Sequence, residues 1–316
     1  MREIQTFLRD NSHEIVSRLL LLAAIKLVLA LLLAAFFFIA SADPLQAQQP
    51  DAEPAVDQKT GGGNAFLDEQ GLAPPGANDP ECRPEAGKPP VVLAHGTFAH
   101  MAANFAGLAP ALAEQGYCVY ALNYGENIGP FGGLSDIEVS ARELDGFVDD
   151  VRAYTGSEKV SIVGHSQGAV MARHYIKELG GHEVVEDLVG VAPANHGTSV
   201  QQRLVPGTDY AIEAGALGLC ASCVQQGTGS DFLTALNSGD ETPGEEVDYT
   251  VIATRTDETV IPYTSGFLAG PKEQVSNITL QDDHPYDPAG HLGVIFDPNV
   301  YAYISDALGR EGPART

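Results

Sequence analysis

The sequence is short of positive charge. Its 316 residues include 17 Lys and Arg against 42 Asp and Glu, a formal net charge of −25 at pH 7. A surface of that sign repels nucleic acid and anionic membranes, and it favours solubility. Cysteine is also scarce, with four residues, Cys82, Cys118, Cys220 and Cys223. The run Cys220-Ala221-Ser222-Cys223 lacks a second ligand pair, which argues against a zinc or redox site. No cluster of ligands at metal spacing occurs elsewhere, and no internal repeat is visible.

What is present at the N-terminus reads as a targeting segment. Arg2, Arg9 and Arg18 precede an apolar run over residues 27–39, and Ala40-Ser41-Ala42 offers a small-residue cleavage site, with Leu45-Gln46-Ala47 a second. Residues 1–42 are therefore expected to be a signal peptide and the protein to be secreted. An uncleaved anchor over residues 19–40, broken by Lys26, is the alternative. Residues 43–81 are rich in Pro, Ala, Gln, Gly and Asp, and read as a flexible linker or extended arm. An even cysteine count in an oxidising compartment reads as two disulfides. Of the three connectivities, Cys82–Cys118 with Cys220–Cys223 is preferred. The first would pin the incoming segment to a core strand, and the second would close a small loop.

Residues 82–316 suit one α/β domain. Apolar strand patterns at 91–94, 117–122, 160–163, 185–192, 249–253 and 275–280 alternate with helical patterns, notably at 104–114, 136–154 and 298–308. Such alternation predicts a mostly parallel, doubly wound sheet with helices on both faces. Ligands on such sheets bind beyond the carboxyl ends of the strands. Residues 196–247 interrupt the rhythm and are a candidate lid or a packed excursion.

The most informative motif is Gly164-His165-Ser166-Gln167-Gly168, behind the apolar run 160–163 and ahead of a helical stretch. This is the strand, turn, helix pattern of a nucleophile elbow. Gly164 and Gly168 flank the serine because side chains there would collide in so tight a turn. Ser166 then needs a base, an acid and an oxyanion site. Thr97, in His95-Gly96-Thr97 after the first strand, and Gln167 are the oxyanion candidates. Asp257 follows the carboxyl end of the strand at 249–253 and is the preferred acid, ahead of Glu258, Asp282 and Asp283. Asp248 falls at the wrong end of that strand. His291, in the loop after the last strand, is preferred as base over His284 for its reach, and over His196, which precedes the acid. His165 reads as structural. The order Ser166, Asp257, His291 is that of the α/β-hydrolases.

The stretches Pro90-Val91-Val92-Leu93-Ala94-His95-Gly96-Thr97-Phe98, Gly164-His165-Ser166-Gln167-Gly168, Ala192-Pro193-Ala194-Asn195-His196-Gly197-Thr198, Ile252-Ala253-Thr254-Arg255-Thr256-Asp257-Glu258 and Gly290-His291-Leu292-Gly293 resemble the secreted class 2 bacterial triacylglycerol lipases of actinobacteria. They are also similar to the fungal lipase B type. The resemblance spans about residues 82–308. It implies an α/β-hydrolase fold, Ser166, Asp257 and His291 as a triad, Thr97 and Gln167 as oxyanion residues, and an early disulfide matching Cys82–Cys118. It implies a lipid or other ester substrate, with no metal or organic cofactor needed and no nucleic-acid partner. A monomer that works at a lipid–water interface is the expected form. An esterase or acyltransferase for shorter, soluble esters is the rival within enzymes. A non-catalytic ligand-binding module would predict a missing triad member, and each has a candidate.

Overall fold

Short, mostly apolar runs are the mark of strands buried on both faces. In the computed structural model, which describes residues 72–125, 131–199 and 220–315, each such run is a strand. The six strands are β1 (Val91–Ala94), β2 (Val119–Leu122), β3 (Val160–His165), β4 (Val185–Val191), β5 (Asp248–Ala253) and β6 (Val275–Thr279). They form one sheet in the order β2-β1-β3-β4-β5-β6, and every neighbouring pair is parallel. β3 therefore lies inside the sheet, with Ala94 of β1 in register with Gly164.

The pleat sends alternate side chains into two cores. Val92, Ile162, Leu188 and Tyr249 enter one, where α3 (Ile137–Thr155) and α4 (Gln167–Glu178) contribute Leu144, Val148, Val170 and Ile176. Val91, Val163, Val189 and Ile252 enter the other, against Leu108 and Leu112 of α2 (Leu108–Glu114) and Val300 and Ile304 of α7 (Pro298–Leu308). Helices thus cover both faces, as the alternation of elements predicts.

The helix expected over 104–114 is two pieces, α1 (Met101–Asn104) and α2, which begins after Gly107. Glycine favours a break, and the Asn104 side chain is turned away to accept from Gly96 N. His100 caps α1 through Ala102 N.

Packed structure begins ahead of residue 82, inside the stretch whose composition reads as linker. Asn78 is buried and pairs with Ala121 of the edge strand β2, giving Nδ2 to its carbonyl at 3.0 Å and accepting its N–H at 2.7 Å. Ala77 bridges to Val119 in parallel fashion. This segment covers the outer edge of β2, and the Cys82–Cys118 disulfide fastens it there. Cys220–Cys223 is the second disulfide. The expected signal peptide and residues 43–71 lie outside the described residues, as does the stretch 200–219 within the candidate lid. The rest of that insertion is packed. It forms α5 (Ala221–Gln225) and α6 (Asp231–Leu236), with Phe232, Leu233 and Leu236 buried. Lys177 of α4 donates to the carbonyls of Leu236, Ser238 and Asp240.

At the opposite end of the sheet from the carboxyl termini, Asp187 is buried and accepts from Ser161 Oγ at 2.8 Å. Burial pushes its carboxyl up to about 7, against the lowering effect of Ser161 and with the help of nearby Glu186 and Asp248. The unfolded chain ionises this group from about pH 4. Between pH 4 and 7 the folded state holds the proton that the unfolded state has lost, so this residue's contribution falls as pH rises. The stability advantage of Asp187→Asn over the parent should grow from pH 4 to 7 and then level off in urea titrations. A difference that does not change with pH would contradict this placement of the proton.

Candidate active site

The elbow is built by close approach. β3 ends at His165, and α4 begins at Gln167, leaving Ser166 at φ +53° and ψ −119°. That is a strained conformation for a residue with a side chain. It is held by Ser166 N donating to Val191 O at 2.8 Å. A Cβ on Gly164 would lie 2.3 Å from Ala169 N, and one on Gly168 would lie 2.1 Å from Ala94 O. Neither space admits an atom, so glycine is required at both positions.

Three side chains from three loops meet at the carboxyl end of the sheet. His291 Nε2 is 3.0 Å from Ser166 Oγ, and His291 Nδ1 is 3.0 Å from Asp257 Oδ2. The other oxygen of Asp257 accepts the N–H groups of Thr259 at 2.8 Å and Val260 at 2.7 Å. The carboxylate is thus aimed by its own turn, with its side chain almost wholly shielded from solvent. The histidine loop is strapped to the same turn. Thr254 and Thr256 hydroxyls both donate to Ala289 O at 2.7 Å, and Glu258 Oε2 accepts His291 N at 3.0 Å.

Thr97 and Gln167, the expected oxyanion pair, are in contact, with Thr97 Oγ1 donating to Gln167 Oε1 at 2.6 Å. Gln167 is the first residue of α4, where backbone N–H groups have no intrahelical acceptor. The Gly96 backbone lies against the elbow, since a Cβ there would sit 3.2 Å from Ser166 Cβ.

The rival residues are engaged elsewhere. Asp282 pairs with Arg255, and Asp283 accepts the Tyr303 hydroxyl at 2.7 Å. His284 lies beside the Tyr303 ring, and His196 bonds Ser265 O and Glu241. Glu258 holds the histidine backbone rather than its ring.

His165 has a defined structural task. Its Nδ1 lies 3.1 Å from Asn104 Oδ1 and its Nε2 3.1 Å from His291 O. Asn104 in turn accepts Gly96 N at 3.0 Å. One buried chain of contacts therefore joins the Gly96 loop, the elbow and the histidine loop. Asn104 and Gln226, which donates to Thr97 Oγ1 at 2.9 Å, carry no motif in the sequence. Asn104 lies eight residues past Gly96 within a helical pattern, and Gln226 lies in the irregular insertion.

Phe98, Phe131 and Leu292 are 55%, 49% and 70% exposed and adjoin this site in the chain or by pairing. Phe98 follows Thr97 and its N–H bonds Gly132 O, while Leu292 follows His291.

A parallel sheet flanked by helices, with a serine on a sharp strand-to-helix turn, defines the α/β-hydrolase class. Residues 88–303 match the family described as lipase (class 2), and the chain belongs to that family. A triacylglycerol lipase of Pseudomonas fragi is 28% identical over 158 residues, 49% of this chain and 50% of that one, so the chain spans about half the length of this curated relative. The fold is similar to that of Aspergillus fumigatus lipase B, with a TM-score of 0.62 and 23% identity, covering 77% of this chain and 56% of that one. The mature form of Bacillus licheniformis lipase BlEst2 aligns with a TM-score of 0.54 at 16% identity, over 72% of this chain and 94% of that one.

Burial pushes the His95 imidazole down to about 4 and that of His165 to about 3. For His165 the neighbouring His291 adds to the effect. Both rings are neutral when folded at pH values where the unfolded chain, with histidine near 6.5, takes up protons. Stability from these groups is full above about pH 6.5 and is lost as pH falls toward 4 and 3. His165→Gln should therefore reduce the slope of unfolding free energy against pH between about 3 and 6.5, whatever it does at neutral pH. An unchanged slope would show that His165 titrates normally.

Proposed function

We propose that the protein is a carboxylic ester hydrolase, a lipase that works through Ser166, His291 and Asp257 and an acyl-enzyme. One observation carries the reading: an unbroken hydrogen-bonded relay from Ser166 Oγ through His291 to Asp257. Family membership supports it. His291 Nε2 takes the hydroxyl proton as Ser166 Oγ attacks the ester carbonyl. Asp257 Oδ2 accepts from Nδ1, which fixes the tautomer and stabilises the imidazolium. The backbone N–H groups of Gln167 and Thr97, with the Thr97 hydroxyl, receive the oxyanion. The ester C–O bond breaks, and the alcohol leaves with the proton from His291. Water, deprotonated by His291, then attacks the acyl-enzyme, releasing the acid and restoring Ser166.

Substrate reach follows from the surface. Phe98, next to Thr97 in the chain, and Leu292, next to His291, are exposed apolar side chains of the kind that suits lipid at an interface. The leader-like pattern of residues 1–42 supports an extracellular setting, where such substrates occur as emulsions. Soluble short esters are the second substrate class, since the relay is open to any ester that fits.

Ser166→Ala should lower kcat on an activated ester by at least about 10⁴-fold while the melting temperature stays near that of the parent. Turnover near the parent's would end the assignment. Phe98→Ser with Leu292→Ser should weaken hydrolysis of emulsified triacylglycerol while leaving kcat/KM on a soluble short-chain ester within about threefold, a change smaller than 1 kcal/mol. Equal losses on both would place these side chains in the acyl pocket instead of at the interface.

A further inference from the structure

The Thr97 hydroxyl lies between two glutamines. It donates to Gln167 Oε1 at 2.6 Å and accepts from Gln226 Nε2 at 2.9 Å. A hydroxyl has one proton and two lone pairs. In the resting enzyme that single proton is therefore spent on Gln167 and is not available to a substrate.

The two glutamines differ in how firmly they are held. Gln226 Nε2 also donates to Ser222 O at 3.2 Å, and the main-chain carbonyl of Gln226 accepts Thr198 N at 3.0 Å. Ser222 is itself anchored, with its hydroxyl donating to Gly133 O at 2.6 Å, and the Cys220–Cys223 disulfide brackets it. With Nε2 committed to the Ser222 carbonyl as well, Gln226 presents a donor to Thr97. Gln167 is wholly buried, and its Nε2 has no partner among the described residues. Its grip on the Thr97 proton is a single neutral contact.

An oxyanion is a stronger acceptor than a neutral amide oxygen. When it forms beside Ser166 it competes with Gln167 Oε1 for the Thr97 proton. The hydroxyl hydrogen can swing from one acceptor to the other only if the oxygen keeps its place. We propose that Gln226, from the insertion after β4, is the positioning residue for the oxyanion site: its donated hydrogen bond holds the Thr97 oxygen while the proton moves from Gln167 to the oxyanion. The donation also polarises the hydroxyl and makes its proton a better donor. The inference rests on the ester hydrolase reading and adds a residue to it. It further gives the packed part of the insertion a task in the chemistry.

The test compares Gln226→Glu, Gln226→Met, Thr97→Val and the double variant Gln226→Glu with Thr97→Val. Each is assayed for kcat and KM on a soluble nitrophenyl ester, with the parent and Ser166→Ala alongside and a thermal melt of each. A carboxylate can only accept, so at pH 8 the glutamate draws the Thr97 proton away from the oxyanion. We expect kcat to fall by about 10²-fold, the scale of one oxyanion donor, with KM within about threefold. The methionine, which has no donor and only a weakly accepting sulfur, should cost about 10-fold, the scale of one neutral hydrogen bond. In the Thr97→Val background Gln226→Glu should cost less than about twofold, because the hydroxyl through which it acts is gone. Parent-like kcat in both Gln226 variants, or a cost that persists undiminished beside Thr97→Val, overturns the inference while leaving the hydrolase reading intact. A parent enzyme without Ser166-dependent turnover overturns both.

Discussion

Ser166 sits in a backbone conformation that its own side chain disfavours, and the surrounding sheet compels it. Val191 takes its N–H, Ala94 leaves no room beside Gly168, and Ala169 leaves none beside Gly164. The strain, of order 1–3 kcal/mol for such a residue, is met by two apolar cores on either side of an all-parallel sheet. What this achieves is the presentation of one oxygen to the histidine loop at the carboxyl end of a central strand. Every other feature of the site is arranged around that oxygen.

The remaining parts reach it by loops that are tied to one another. Asp257 is aimed by Thr259 and Val260, and His291 is held by Asp257 at its ring and by Glu258 at its backbone. His165 and Asn104 connect that loop to Gly96 beneath the oxyanion side. Asn104, His165 and His291 are buried, where a hydrogen bond is less weakened by competing water. The consequence is pre-organisation: Ser166 Oγ, the His291 ring and the Asp257 carboxylate already stand within hydrogen-bond distance of one another, as the proposed mechanism requires.

Much of this was legible in the residues themselves. Strand positions follow from short, mostly apolar runs between helical patterns, and Gly164 and Gly168 follow from the steric demand of the turn. Asp257 and His291 were marked by their place after strands, since the topology of a parallel sheet directs those loops to one rim. The split of α1 from α2 was less legible, because it depends on Asn104 turning to Gly96, a contact between side chain and distant backbone. Asn78 shows the same limit. Composition made its neighbourhood a linker, whereas two hydrogen bonds to Ala121 make it part of the sheet's edge. Gln226 carries no periodicity or motif at all, and its relation to Thr97 exists only in three dimensions.

The central claim is that Ser166 Oγ is an activated nucleophile facing an oxyanion site. A crystal structure of the protein after reaction with a long-chain alkyl phosphonate ester tests it most directly. The account predicts phosphorus bonded to Ser166 Oγ, one phosphonyl oxygen within hydrogen-bond distance of Gln167 N and the Thr97 hydroxyl, and His291 still bonded to Asp257. Phosphorus on another residue, or a phosphonyl oxygen turned away from Thr97 and Gln167, would contradict it.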